Sequence, residues 1–336
     1  SSILVAPVYQ NVAGDEMGND VRNHIYLPDP EQIWVDYLTG ELYQGGQVLN
    51  NFDVPLWKLP VFVKQGAILP MYEANNTPDA VKKEHRIVEV WPAGETTYTV
   101  YEDDGKYISN ETEEDEAYGT IDHVSYGDHV STRYTSKVEG DKAVLTAERS
   151  EGTYEGYEPN RSTTWIVHLT QKPDAVLVKN GAETLKAREA RDLQTLENQM
   201  PDAGEALYYY EEAPKLRTFA SADEKELAKM TDEVRTAPKL YIRLPKVDVT
   251  AVEQSVEIQG FVCEMEVGKE QENPALSVPE LTIAEEEKTA SSMWLRWTKT
   301  DGASSYEMLV DGQLYTMGDA DSYLHDDLDY HSEHSY

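Results

Sequence analysis

Carboxylates dominate the side chains that could do chemistry in this chain: 63 Asp and Glu stand against 29 Lys and Arg, with eight His and one Cys. A general acid/base pair needs two carboxyl groups facing each other across a walled cleft. Asp103-Asp104 is an adjacent pair followed by Gly105. Neighbours on a tight turn point apart, so the pair reads as turn chemistry. The run Glu111 to Glu116 and the cluster Asp319, Asp321, Asp326, Asp327 and Asp329 could attract calcium. Neither has the EF-hand spacing with its central glycine, and both read as solvated acidic faces. His331 and His334 flank Glu333. On a strand a separation of three places them on opposite faces, so no metal site is expected there. Cys263 is single, which excludes an internal disulfide and a cysteine zinc site and leaves a small hydrophobe. No catalytic, metal or cofactor-binding residue is assigned. What remains is Trp294 and Trp91, read as exposed aromatics able to stack on a sugar ring or dock another domain. Trp294 falls on the outer face of its strand, opposite to Trp297.

The elements around these residues read as strands. Short apolar runs closed by prolines or glycines recur at Ile3 to Ala6, His24 to Leu27, Trp34 to Leu38 and Val61 to Val63, with Gly45-Gly46 and Gln65-Gly66 as turns. Further runs are Ile87 to Trp91, Thr97 to Tyr101, Ala143 to Ala147, Thr164 to Leu169, Ala175 to Val178 before Asn180-Gly181, Leu240 to Leu244 and Val256 to Ile258. Late in the chain Met293, Leu295 and Trp297 alternate onto one face. Ser305 to Val310 then turns at Asp311-Gly312 into Gln313 to Tyr315. Two segments read as helix: a capping box at Ser221 to Glu224 opens one near 221–236, and a shorter one is expected at 192–199. The expected fold class is all-β: tandem β-sandwich domains with a short helical insertion, ending in a partial immunoglobulin-like sandwich. The expected domains are 1–87, 88–259, a Glu-rich linker at 260–278 and a last module at 279–336.

Length and charge bound the rest. At roughly 100–200 residues per domain, 336 residues make two or three domains. A composition 40% hydrophobic and 10% aromatic is too apolar for wholesale disorder. The longest apolar runs are far short of the roughly 20 residues of a membrane helix. A formal charge of −34 repels phosphate, which removes nucleic acid and anionic membranes as partners. The chain starts at Ser1 on a buried-strand pattern with no signal peptide. It stops at Tyr336 inside a polar–aromatic alternation, so a piece of a longer polypeptide is expected. An acidic, cysteine-poor chain with 22 Tyr suits an exported bacterial protein.

An ordered series of motifs then points to one family. Leu4-Val5-Ala6-Pro7-Val8 is followed by Tyr26-Leu27-Pro28, Trp34-Val35-Asp36-Tyr37-Leu38-Thr39-Gly40-Glu41, Pro55-Leu56 and Leu59 to Met71. This resembles the proximal C-terminal β-domain of glycoside hydrolase family 31, the α-glucosidases, α-xylosidases and their relatives. Val90-Trp91-Pro92-Ala93-Gly94 with Tyr101 to Tyr107 resembles the start of that family's distal C-terminal β-domain. The resemblance spans roughly residues 1–250, fits loosely over 183–239, and departs at Trp57, where the family often has a small or acidic residue. The last segment resembles a fibronectin type III module, with Trp297 as its strand B tryptophan, Tyr306 on strand C and Tyr336 at the start of strand F.

The family resemblance implies a retaining α-glycosidase whose two aspartates lie in a (β/α)8 barrel upstream of Ser1. Nothing in this chain alternates strands with 10–15-residue helices as such a barrel must. The chain by itself is therefore expected to be inactive, to need no cofactor, and to support the barrel that binds the carbohydrate. Ile3-Leu4-Val5 and Phe62-Val63 are candidates for packing on the barrel or for internal core. The expected location is extracellular or on the bacterial cell surface. The competing reading is a carbohydrate-binding or adhesive β-sandwich acting without a catalytic domain.

Overall fold

The computed structural model describes residues 1–336 except 10–11, 17, 78–79, 106, 110–123, 217–233, 264–266, 268–277, 301–302 and 304. The helix expected near 221–236, most of the 260–278 segment and the run Glu111 to Glu116 thus fall wholly or largely outside the described residues. What is described is mostly β, arranged in several sheets, with one short α-helix and a 3₁₀ turn at Glu285–Glu287. Two compact units are distinguished. One comprises Ser1–Ile3, Trp34–Leu42 and Val63–Glu266, the other Leu4–Ile33, Tyr43–Phe62 and Val267–Tyr336.

The N-terminal strands are short: β1 (Ile3–Val5), β2 (Asp20–Arg22), β3 (Ile25–Leu27), β4 (Ile33–Asp36), β5 (Leu42–Gln44), β6 (Gln47–Leu49), β7 (Phe52–Val54) and β8 (Val61–Lys64). In the second unit β2 pairs with β7 and β3 with β6, both antiparallel. Gly45 is required there, because a Cβ would sit 2.0 Å from the carbonyl oxygen of Asp29. Phe62 packs edge-on against Phe52 and Tyr43, at 5.3 and 5.6 Å between ring centres. Phe62 and Val63 are fully buried, so this pair is internal core and offers no docking surface.

The first unit is built on one large sheet. Its strands are β9 (Ile68–Met71), β10 (His85–Val90), β11 (Glu95–Asp103), β14 (His129–Glu139), β15 (Lys142–Ala147), β16 (Glu151–Gly152), β17 (Asn160–His168), β18 (Ala175–Asn180), β19 (Glu183–Glu189), β20 (Glu205–Glu211), β21 (Lys239–Arg243), β22 (Val247–Asp248) and β23 (Gln254–Gln259). The main path runs β11-β14-β15-β23-β18-β19-β20-β21-β17-β10-β9. β11 and β9, the ends of that path, lie against each other, so the sheet nearly closes into a barrel. Separately, β12 (Tyr107–Ser109) pairs antiparallel with β13 (Val124–Tyr126). Most neighbours are antiparallel, but β10 runs parallel to β17 and β19 to β20.

Period-two alternation decides which side chains enter this barrel. From β10, Val88 and Val90 go inward. Trp165 and Val167 follow from β17, and Leu145, Val176, Leu240, Ile242, Val256 and Ile258 complete the core. The same parity carries Arg86, Arg161 and Glu102 to the inner face, since they lie two or more even steps from Val88, Trp165 and Val100. On the opposite face sit His85, Glu89 and His168. The short helix α1 (Leu193–Asn198) covers part of that outer face, packing Leu193 and Leu196 against Leu207, Tyr209 and Tyr241. Its N-cap is Asp192, whose carboxylate accepts from the Thr195 amide at 2.7 Å.

In the second unit, β24 (Leu281–Thr282), β25 (Met293–Trp297) and β28 (Ser322–His325) form one antiparallel sheet, and β26 (Tyr306–Val310) with β27 (Gln313–Gly318) another. They share a core of Leu295, Trp297, Tyr306, Met308 and Val310. The expected alternation on β25 is observed: Leu295 and Trp297 are buried and Trp294 faces out. Asp311-Gly312 makes the expected turn, with φ of +49° and +81°.

Candidate functional site

Two carboxylates of the first unit, Glu89 and Glu102, are held by cations. Glu89, 1% exposed, accepts from Tyr37 Oη at 2.8 Å, His168 Nε2 at 2.8 Å and Lys239 Nζ at 3.0 Å. Burial alone would raise its pKa. The His168 hydrogen bond, the Lys239 charge and the Tyr37 hydroxyl outweigh it and hold the carboxyl at about 2. Burial pushes His168 down, so at neutral pH it donates as a neutral imidazole and Lys239 is the charge partner. Inside the barrel, Glu102 accepts from Arg161 at 3.0 and 2.9 Å, from Arg86 at 2.7 Å and from the Tyr72 hydroxyl. Desolvation opposes ionisation here too, and the two guanidinium groups with Tyr72 pull the pKa below the usual range. Carboxylates held this far down, with their oxygens occupied, do not exchange protons near neutral pH. These groups fasten strands to one another.

Asp103 and Asp104 lie where the turn was expected. Gly105 takes φ +73° and its amide donates to Asp103 Oδ1 at 3.0 Å. The two tryptophans part company. Trp91 is 1% exposed, and its ring stacks on His168 with centres 4.1 Å apart and planes 15° from parallel. It packs with Val35, Val63 and Ala67, which corrects its reading as an exposed aromatic: the segment following β10 is covered on both faces. Trp294 is 37% exposed and pairs across the sheet with Leu324. Two residues along the same face, the Arg296 guanidinium lies 5.5 Å from the Trp294 ring centre. Glu287 fixes that guanidinium through bonds to Nε at 3.0 Å and Nη2 at 2.7 Å. The Trp294 ring thus makes a cation–π contact with an ion-paired arginine.

A third cluster was missed by the sequence reading. His331 and His334 lie outside any strand, and His331 takes a left-handed φ of +65°. They do not form a pair. Instead His334 meets Asp311 and His325, with one potential ligand atom from each lying within 4.8 Å of the others. Sequence spacing could not reveal it, because the three residues belong to a hairpin turn, a strand end and the segment after it. Pairing of β25 with β28 and the 2.9 Å bond from the Asp311 amide to the Ser335 carbonyl bring them together.

Comparison with known proteins places the N-terminal strands. Residues 1–69 match the glycosyl hydrolase family 31 C-terminal domain. The chain is 29% identical over 180 residues to alpha-glucosidase 2 of Bacillus thermoamyloliquefaciens, an alignment covering 53% of this chain and 19% of that protein. Against the alpha-xylosidase of Saccharolobus solfataricus it is 27% identical over 191 residues, covering 55% of this chain and 23% of that one. Among solved structures, a family 31 dextranase of Flavobacterium johnsoniae in complex with glucose aligns with a TM-score of 0.49 and 23% identity, over 77% of this chain and 26% of that one. The chain therefore spans about a fifth of the length of the curated relatives it matches. Its first 69 residues match the family 31 C-terminal domain, and the chain is similar in sequence to an α-glucosidase and an α-xylosidase.

Proposed function

We propose that this chain is the non-catalytic C-terminal part of a retaining α-glycosidase of glycoside hydrolase family 31, an enzyme that hydrolyses O-glycosyl bonds in α-linked carbohydrate. Its role is to support a catalytic (β/α)8 barrel that lies upstream in the same polypeptide. The observation that carries this reading is the family match over residues 1–69, joined to relatives of which the chain covers about a fifth. The buried acids agree with it, since Glu89 and Glu102 are held in ion networks. Ile3 and Val5, 42% and 50% exposed, offer apolar surface suited to packing on another domain. Residues 1–87 are assigned to the proximal β-domain, 88–259 to the distal one, 260–278 to a linker and 279–336 to a fibronectin type III-like module. Contact between Trp297 and Tyr306, 6.0 Å apart at their ring centres, supports the last assignment. The parent is assigned to the bacterial cell surface or medium.

The test is to express the chain together with the coding sequence upstream of Ser1. Both forms are assayed on nitrophenyl α-glucoside, α-xyloside, α-galactoside and α-N-acetylgalactosaminide. Cleavage by the long form alone supports the reading and names the substrate. Cleavage by the short form, or an upstream region without a barrel, overturns it. A second reading, glycan binding by this chain itself, is favoured by the Trp294–Arg296–Glu287 surface. Affinity electrophoresis on starch, dextran and mucin tests it, since a pure scaffold migrates unretarded.

A further inference from the structure

We propose that Asp311, His325 and His334 form a site for a zinc-type transition-metal dication, which clips the segment around Ser332–Tyr336 to the Asp311-Gly312 turn and the end of β28. Two imidazoles and a carboxylate are the ligand set of borderline metals. Calcium and magnesium select oxygen donors and are poor fits.

The surroundings of the three ligands carry the argument. A metal-ligating side chain normally has its other polar atom held by an outer partner, which fixes the tautomer and the direction of the ligating atom. All three residues have one. His325 Nδ1 bonds to the Tyr336 hydroxyl at 2.7 Å, which directs Nε2 to the metal. His334 Nε2 bonds to Ser332 Oγ at 2.7 Å, which leaves Nδ1. Asp311 Oδ1 accepts from the Ser335 amide at 2.7 Å, which leaves Oδ2. The remaining atoms of His334 and Asp311, Nδ1 and Oδ2, already meet at 2.6 Å.

A metal at this site takes the place of the proton between His334 Nδ1 and Asp311 Oδ2, and the neutral ring keeps its one proton on Nε2, donated to Ser332 Oγ. Tetrahedral bonds of 2.0–2.1 Å set ligand atoms about 3.3 Å apart. Ligand atoms now spread over as much as 4.8 Å must close up, and the 2.6 Å pair must open slightly. Rotations of three side chains that are exposed or half-buried accomplish both. Water completes the coordination. The net charge of −34, with Asp326, Asp327 and Asp329 close by in the chain, concentrates dications at this surface.

The experiment titrates the whole chain with zinc by calorimetry and with cobalt(II) by visible absorption. The expected result is one ion per chain with the intense bands of four-coordinate cobalt. His334→Ala and His325→Ala should each weaken binding by more than about tenfold. Tyr336→Phe, which removes no ligand, should weaken it by about tenfold through loss of the outer bond. His331→Ala should leave it unchanged. Far-ultraviolet circular dichroism of the metal-free variants confirms that each is folded. Binding unaffected by His334→Ala, equal competition by calcium, or cobalt spectra of the hydrated ion would overturn the site and leave an ordinary His334–Asp311 ion pair on an acidic surface.

Discussion

Glu89→Gln replaces a buried carboxylate by an amide of the same shape and leaves Lys239 and His168 facing a neutral group. The folded carboxyl titrates at about 2 against an ordinary 4.5. A difference of that size is worth about 3 kcal/mol of folding free energy. Because Glu89 is 1% exposed, solvent screening does not reduce it. The pKa is depressed, so the contribution is complete above 4.5 and lost as pH falls toward 2. Near pH 3 about 1.4 kcal/mol remains. Urea unfolding of both chains, followed by tryptophan fluorescence near pH 7 and near pH 3, reads this directly. The variant should be less stable by about 3 kcal/mol at the higher pH, in keeping with the cost of breaking a buried pair. The gap should shrink to about 1 kcal/mol at the lower one. His85, which burial pushes down to about 4, titrates in the same window but is present in both chains and cancels. An equal gap at both pH values would refute the reasoning, since the loss would then come from shape and not charge.

Three other outcomes follow from named contacts. Two arginines face Glu102, so Glu102→Gln strands two buried cations while Arg161→Met leaves a balanced Arg86–Glu102 pair. The first should cost about 3–5 kcal/mol and the second clearly less, by denaturant unfolding. Gly152 takes φ +96°, and an added Cβ would sit 2.1 Å from the carbonyl oxygen of His129. Gly152→Ala should lower stability by more than about 2 kcal/mol, seen as a lower melting temperature. Trp294→Ala should change stability by under about 0.5 kcal/mol and abolish any retardation on glycan gels.

Much of the strand content was legible because it rests on local alternation. β25 shows this best: Leu295 and Trp297 turn inward and Trp294 outward, as their spacing requires. The short helix expected at 192–199 is α1, Leu193–Asn198. The eleven-residue strand β14 was missed although it is the longest. Its inward positions include Thr132 and Ser136, buried hydroxyls that carry no apolar signal. β19 was missed for a related reason, since of its seven residues only Leu185 is buried.

The site residues divide in the same way. Trp294 was placed correctly by the parity of one strand. Trp91 was not, because its cover comes from His168 on β17 and from Val35 and Val63 far earlier in the chain. The sequence by itself determined the class of fold, the family resemblance of its first strands, the main turns and the inward or outward sense of individual residues. All of these follow from patterns a few residues long. Only the tertiary structure decided that Glu89 and Glu102 would meet their cations, that the large sheet would nearly close, and that Asp311, His325 and His334 would converge. The first two depend on the register of strands distant in the chain, where a shift of one residue sends a side chain to the opposite face, and the third on the last segment folding back onto a hairpin turn.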